Sequence, residues 1–165
     1  MDNPPVSVTL REFVDADLDA LFEWEREPEA VRMAAFTRAD PSDRAAFDAH
    51  YRRVRSDPAN TLLAVAAGRV LVGTVSSFTI EGHREVGYWI DPARWGEGIG
   101  SAALRELLRI ETTRPLFGRV AEHNIGSARV LTRAGFEQVG TEPAYAAGIG
   151  REVVEHVYRL SAVRV

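Results

Sequence analysis

The chain contains no cysteine and no lysine; all 20 of its basic side chains are arginine. Without cysteine there is no disulfide, no thiolate metal site and no thiol nucleophile. Without lysine there is no Schiff-base residue, and none of the ammonium that a Walker-type phosphate loop requires. The four histidines, His50, His83, His123 and His156, stand far apart, with neither HxH nor HxxxH spacing. That spacing disfavours a histidine metal site, so no metal is expected. Apolar runs are short, the longest being Leu62 to Ala67, well below membrane-spanning length. With no secretory signal either, the expected setting is the cytoplasm, with no membrane partner. The net charge is −4 and no basic cluster stands out, which argues against a nucleic-acid partner.

What remains is an ordinary globular composition, 45% hydrophobic and 27% charged, over 165 residues. That length suits a single domain, 1–165, around one sizeable core. The most informative stretch runs from Asp91 to Leu104, where Gly96, Gly98 and Gly100 alternate with other residues. They lie between a strand-like run, Glu85 to Ile90, and a helix-like run, Ile99 to Glu111. Glycines let the backbone turn tightly and bring its N–H groups close to a ligand. The helix that follows starts with unpaired N–H donors and the positive end of its dipole, a combination that binds phosphate.

Around this loop the order of elements is legible. Val6, Val8 and Leu10 alternate with polar residues, which predicts a first strand. Asp15 is placed to cap a helix through Leu18, Leu21, Phe22 and Trp24, which Pro28 interrupts before a short helix with Val31 and Met33. Pro41-Ser42-Asp43 opens a third helix through Phe47, Tyr51 and Val54. Thr61–Ala67, Val70–Ile80 and Arg84–Ile90 predict an antiparallel meander. After the glycine loop and its helix, Pro115 marks a break and Leu116–Val120 predicts a strand. Asn124 then caps a helix over Ile125–Ala134, with Gly135 at its C′ position. Two strands, Gln138–Glu142 and Glu152–Leu160, close the chain, joined by a Tyr145–Gly150 loop.

This order, with two motifs, resembles the GNAT superfamily of N-acetyltransferases over essentially the whole chain. In the family's Q/R-x-x-G-x-G/A loop, Gly98 and Gly100 match the glycines, and Trp95 stands where glutamine or arginine is usual. The tryptophan context after Gly87-Tyr88-Trp89-Ile90 is similar to the branch of ribosomal-protein N-terminal acetyltransferases. Glu122-His123-Asn124-Ile125-Gly126-Ser127 through Gly135-Phe136 matches that branch's N-x-x-S…GF segment. The resemblance implies an α+β, sandwich-like fold: a mixed, mostly antiparallel sheet of about seven strands with a splayed parallel pair, flanked by about four helices. It implies acetyl-CoA as co-substrate, an amine as acceptor and direct transfer, and it leaves room for a homodimer.

The cofactor-binding set so implied is Trp89, Ile90, Trp95, Gly96, Glu97, Gly98, Ile99, Gly100, Ser101 and Asn124. N–H groups near Trp89 and Ile90 would hold the thioester oxygen, and those from Gly96 to Ser101 the pyrophosphate. Glu97 is compatible if its backbone alone faces the ligand. Many family members carry a tyrosine acid where this chain has Leu131. That makes Ser127 the matching catalytic candidate, as a donor to the departing thiolate, against a plain buried hydroxyl. Glu85 is the candidate base. It stands four to five residues before the oxyanion donors, about 13–17 Å along an extended strand, so a water chain is its expected route. Glu122 is the second candidate. Glu23, Glu25, Glu27 and Glu29 either rim an amine-attracting cleft or form a solvated segment, and Tyr145 is a potential substrate contact. Two rivals stand beside the enzyme reading. One is a non-catalytic acyl-CoA-binding module. The other is a dinucleotide-binding protein, disfavoured because Ser101 breaks the GxGxxG pattern and the loop follows a meander.

Overall fold

The structure, a computed structural model, describes residues 6–161. Its strands are β1 (Thr9–Glu12), β2 (Thr61–Ala67), β3 (Val70–Ile80), β4 (His83–Ile90), β5 (Leu116–Ala121), β6 (Glu137–Ala146) and β7 (Arg151–Leu160). Its helices are α1 (Leu18–Arg26), α2 (Pro28–Ala34), α3 (Arg44–Ser56), α4 (Ile99–Leu108) and α5 (Ile125–Arg133). All seven strands form one sheet in the order β1-β2-β3-β4-β5-β7-β6. Every neighbouring pair is antiparallel except β4 with β5. The expected mixed sheet with its parallel pair is present, and five α-helices flank it rather than about four.

Alternation along the strands divides the helices between two faces. Val86, Tyr88 and Ile90 of β4 join Leu116 and Val120 of β5 in a core with Ile99, Leu104 and Leu107 of α4 and Leu131 of α5. Trp89 points the other way, against a second core made by Leu21, Phe22 and Trp24 of α1 with Phe47 and Tyr51 of α3. Gly118 is needed beneath α5, because a Cβ there would sit 2.7 Å from Leu131 Cδ2.

Local expectations hold in part. Pro28 does break the first helical run, occupying the first turn of α2 while Glu27 caps it through Ala30 N–H at 2.7 Å. Asp43 caps α3 through Ala46 N–H. Asp15 does not cap α1. It lies in a 3-10 turn, and Arg11 grips the buried Asp17 at 2.8 Å through both carboxylate oxygens. α4 stops at Leu108, so Ile110 is 60% exposed instead of extending the buried stripe. The last hairpin is longer than expected, which puts Tyr145 on β6.

The base of the β4–β5 pair is clamped by charge. Arg84 Nε meets Glu111 Oε1 at 2.7 Å, and its other nitrogens reach Ala59 O, Thr79 Oγ1 and Ser77 Oγ. Burial pushes the Glu111 carboxyl up, but Arg84, Ser77 and the Thr113 N–H outweigh it and hold the pKa at about 2. A folded pKa below the unfolded one gives stability that is present above about pH 4.5 and is lost as pH falls toward 2. Urea unfolding between pH 7 and 2.5 should therefore lose less stability in Glu111→Gln than in wild type. Equal losses would show the clamp to be electrostatically idle.

Candidate active site

The parallel pair is short. Only Arg84–Leu116, Glu85–Phe117 and Val86–Gly118 are paired, so β4 from Gly87 onward and β5 from Arg119 onward part from each other. An unpaired strand backbone exposes N–H and C=O groups that need partners. Asp91 N–H donates to Val72 O at 2.9 Å, and alternation then turns Trp89 N–H toward β3 as well. The N–H groups of Tyr88 and Ile90 face the opening. Of the two residues expected to present an N–H to the thioester oxygen, Ile90 is so placed and Trp89 is not. Trp89 offers only its ring, to the other face of the sheet.

β4 ends beside the glycine loop. Gly96 (φ 85°) and Gly98 (φ 83°) are both left-handed, a conformation costly for other residues. A Cβ at either would meet no protein atom within 4 Å, so the space above both glycines is open to a ligand. Gly98 is the N-cap of α4 and carries no side-chain cap; the first helical bond is Ala102 N–H to Gly98 O. The N–H groups of Ile99, Gly100 and Ser101 are left for an anion. Gly100 serves packing: a Cβ there would sit 3.1 Å from Val130 Cγ2 and 3.7 Å from Ile90 Cγ1. Arg94 Nε holds the Glu97 carboxylate at 3.0 and 3.1 Å, which neutralises the acidic side chain that stands between Gly96 and Gly98. Trp95 is 43% exposed and its indole N–H donates to Ile90 O at 3.1 Å, tying loop to strand end. These residues fit a pyrophosphate and the arm attached to it.

Across the opening stands the start of α5. Asn124 Oδ1 accepts from Ser127 N–H at 3.1 Å, which leaves the two amide N–H donors of Asn124 for another partner. Ser127 Oγ lies 2.7 Å from the phenolic oxygen of Tyr88, a contact from β4 to α5. Tyr88 was not singled out from the sequence. Its alternation with Val86 and Ile90 is the signal that would have placed it on the α5 side. Leu131 is 1% exposed and belongs to the core.

Glu85 faces the opposite side of β4 and is 5% exposed. Arg119 Nε lies 3.3 Å from its carboxylate, and the same guanidinium serves Glu142 at 2.7 Å and Glu155 at 3.2 Å. Burial raises the Glu85 pKa; Arg119 opposes this, and Glu155 and Glu142 add to it. Glu85 is thus no solvated surface charge. Glu122 is exposed beside the α5 cap. The acidic series forms no open rim. Glu25 is buried under Arg38 and Tyr51, Glu27 caps α2, and Glu23 and Glu29 pair with Arg26 and Arg32 on their own helices. Among the described residues no three His, Asp or Glu side chains cluster as a metal site.

Known proteins share this fold. A candidate phosphinothricin N-acetyltransferase is 25% identical, with a TM-score of 0.72 over 96% of this chain and 100% of that one. The aminoglycoside enzyme AAC(6')-Ib, solved with ribostamycin and coenzyme A, is 20% identical, with a TM-score of 0.72 over 93% of each chain. RimL, a ribosomal L7/L12 α-N-protein acetyltransferase solved with coenzyme A, is 19% identical, with a TM-score of 0.74 over 96% and 98%. No curated protein matches the sequence significantly. The acetyltransferase (GNAT) domain family matches residues 7–137, most of the chain, which therefore belongs to that family and is an N-acetyltransferase.

Proposed function

We propose that the protein moves the acetyl group of acetyl-CoA directly onto a primary amine, either a protein N-terminus or a small amine. The observation that carries this reading is the β4–β5 pair opening beyond Val86 and Gly118, directly beside the uncapped start of α4. The pyrophosphate lies on the N–H groups of Gly96 to Ser101, and the pantetheine arm runs into the opening past Trp95 and the Asn124 amide. The thioester oxygen accepts from Ile90 N–H, a fixed donor that strengthens its bond as negative charge develops in the tetrahedral intermediate. Glu85, through water, takes the proton that keeps the amine from attacking. The C–N bond forms, the nitrogen of the tetrahedral intermediate gives its surplus proton to water, the C–S bond breaks, and CoA leaves as a thiolate facing Ser127. With no cysteine in the chain, no cysteine-linked acyl-enzyme intervenes.

Release of CoA from acetyl-CoA, measured over a panel of peptides and small amines, tests the reading. Turnover with an amine supports it. Tight acetyl-CoA binding with no turnover on any amine would favour the non-catalytic module instead. Ser127→Ala should lower kcat about tenfold or more and leave acetyl-CoA affinity nearly unchanged, because its bond to sulfur matters chiefly in the transition state. Weakened binding at unchanged kcat would make Ser127 a pantetheine contact.

A further inference from the structure

The Tyr88–Ser127 contact joins the two walls of the cofactor opening. Tyr88 rises from the part of β4 that pairs with β3 but not with β5, and Ser127 sits in the first turn of α5. The phenolic oxygen lies 2.7 Å from Ser127 Oγ and 3.1 Å from Ser127 O, so a single phenol meets both oxygens of one residue. Tyr88 has one proton to give, and where it goes decides what Ser127 can do. If the phenol donates to Ser127 O, the serine proton turns back toward the phenolic oxygen and is spent. If the phenol donates to Ser127 Oγ, the serine proton is free to point into the opening.

We infer that Tyr88 is a positioning residue for acetyl transfer, donating to Ser127 Oγ and so aiming the serine O–H at the departing sulfur. The inference rests on the proposed role of Ser127 as thiolate donor and deepens it. An excess of negative charge on sulfur draws the serine proton outward, and the Tyr88 proton then swings from Ser127 O to Ser127 Oγ. Donation into a hydroxyl that is itself donating strengthens the outer bond.

The chemistry limits Tyr88 to this part. Burial pushes the Tyr88 pKa up to about 12, with Ser127 pulling the other way. An ordinary thiol titrates near about 8.5, so a thiolate does not take a proton from such a phenol. Tyr88 stays protonated throughout. CoA leaves with the electron pair of the C–S bond on sulfur and gains its proton from water after release. No oxidant, reductant or covalent intermediate is required.

Three variants test this: Tyr88→Phe, Ser127→Ala and the double variant, each with acetyl-CoA affinity by calorimetry and kcat from pH 6 to 9. Tyr88→Phe keeps the ring in the core and removes only the hydroxyl. The expected result is a fall in kcat of about tenfold, the same at every pH, at unchanged acetyl-CoA affinity. The double variant should be no slower than Ser127→Ala alone, since the phenol acts through the serine. Effects that multiply would overturn the inference, as would an unchanged kcat in Tyr88→Phe. An alkaline decline in wild type that vanishes in Tyr88→Phe would also overturn it, by making the phenol a titrating acid. If Ser127→Ala itself leaves kcat unchanged, the failure belongs to the underlying role of Ser127. A slow Ser127→Ala beside a wild-type-like Tyr88→Phe places the failure in this inference alone.

Discussion

Gly98→Asp is expected to weaken acetyl-CoA binding by about 100-fold, roughly 2.8 kcal/mol at 1.4 kcal/mol per tenfold. Three effects act together at this position. Gly98 has φ 83°, and a side chain there forces a left-handed backbone that costs about 1–2 kcal/mol. A Cβ at Gly98 meets no protein atom within 4 Å, so the added group enters the space assigned to the pyrophosphate instead of clashing with the fold. The introduced carboxylate is also a good N-cap. It would take the α4 N–H donors that phosphate needs and repel the phosphate by charge. Gly98→Ala separates these contributions: it keeps the backbone strain and some bulk without the charge, and about tenfold weakening is expected. Calorimetry with acetyl-CoA reads both variants, and thermal unfolding checks that α4 still forms. Equal affinity in Gly98→Asp and wild type would remove the loop from the cofactor site. NADH bound by wild type as tightly as acetyl-CoA would instead revive the dinucleotide reading.

The difference between Gly98 and Gly100 marks how far the sequence could be read. The spacing of the three glycines identifies the loop, but it does not say which are there for φ and which for packing. Gly100 is buried against Val130 and Ile90 by the approach of α5, a contact more distant in sequence than any local pattern reaches. Runs of β-formers and helices with an Asp or Asn cap were legible because their signals are local, whereas the alternation of Val6, Val8 and Leu10 placed the first strand early, since β1 runs Thr9–Glu12. Asn124 caps α5 as expected, and within the expected opening Pro41-Ser42-Asp43 it is Asp43 that caps α3. Asp15 did not, because Arg11 on the neighbouring strand holds Asp17 and reorganises the turn. The acidic run Glu23 to Glu29 looked like one feature and proved to be four separate jobs. Helical geometry sends its members to different faces, and Glu25 finds Tyr51 and Arg38 on other elements.

The candidate site was legible where backbone makes it and obscure where pairs of side chains make it. The glycine loop, Asn124 and Ser127 follow from local motifs, with the family pattern assigning their roles. Tyr88 meets Ser127 across 39 residues, and Glu85 meets Arg119 across the parallel pair, so neither partnership has a sequence signature. Arg119 carries a weaker signal: a charged residue in the middle of a short strand needs buried partners or an open face. It has three carboxylate partners, and they set the environment of the proposed base.

That environment makes Glu85→Gln informative, because activity and stability should move in opposite directions. Burial, only partly offset by Arg119, raises the Glu85 pKa above its ordinary 4.5. For an acid whose folded pKa lies above the unfolded one, the stabilising contribution is present below pH 4.5 and is lost as pH rises through the folded pKa. At neutral pH the buried charge is therefore a burden, and its removal should leave stability unchanged or higher. Arg119 still keeps Glu142 and Glu155 as partners. Catalysis should respond in the other sense. A carboxylate with a raised pKa is a better base, and removing it is expected to cost about 100-fold or more in kcat near pH 6–7. Glutamine preserves shape and hydrogen bonding, so the loss reports basicity. The variant should recover as rising pH deprotonates the amine without help. An α-amino acceptor frees itself near about pH 8 and an alkylamine nearer about 10, so the pH of recovery also reports the class of acceptor. A pH–rate profile of Glu85→Gln that overlays wild type would pass the role of base to Glu122 or to water. A variant that is slower and also less stable at neutral pH would make Glu85 a structural partner of Arg119.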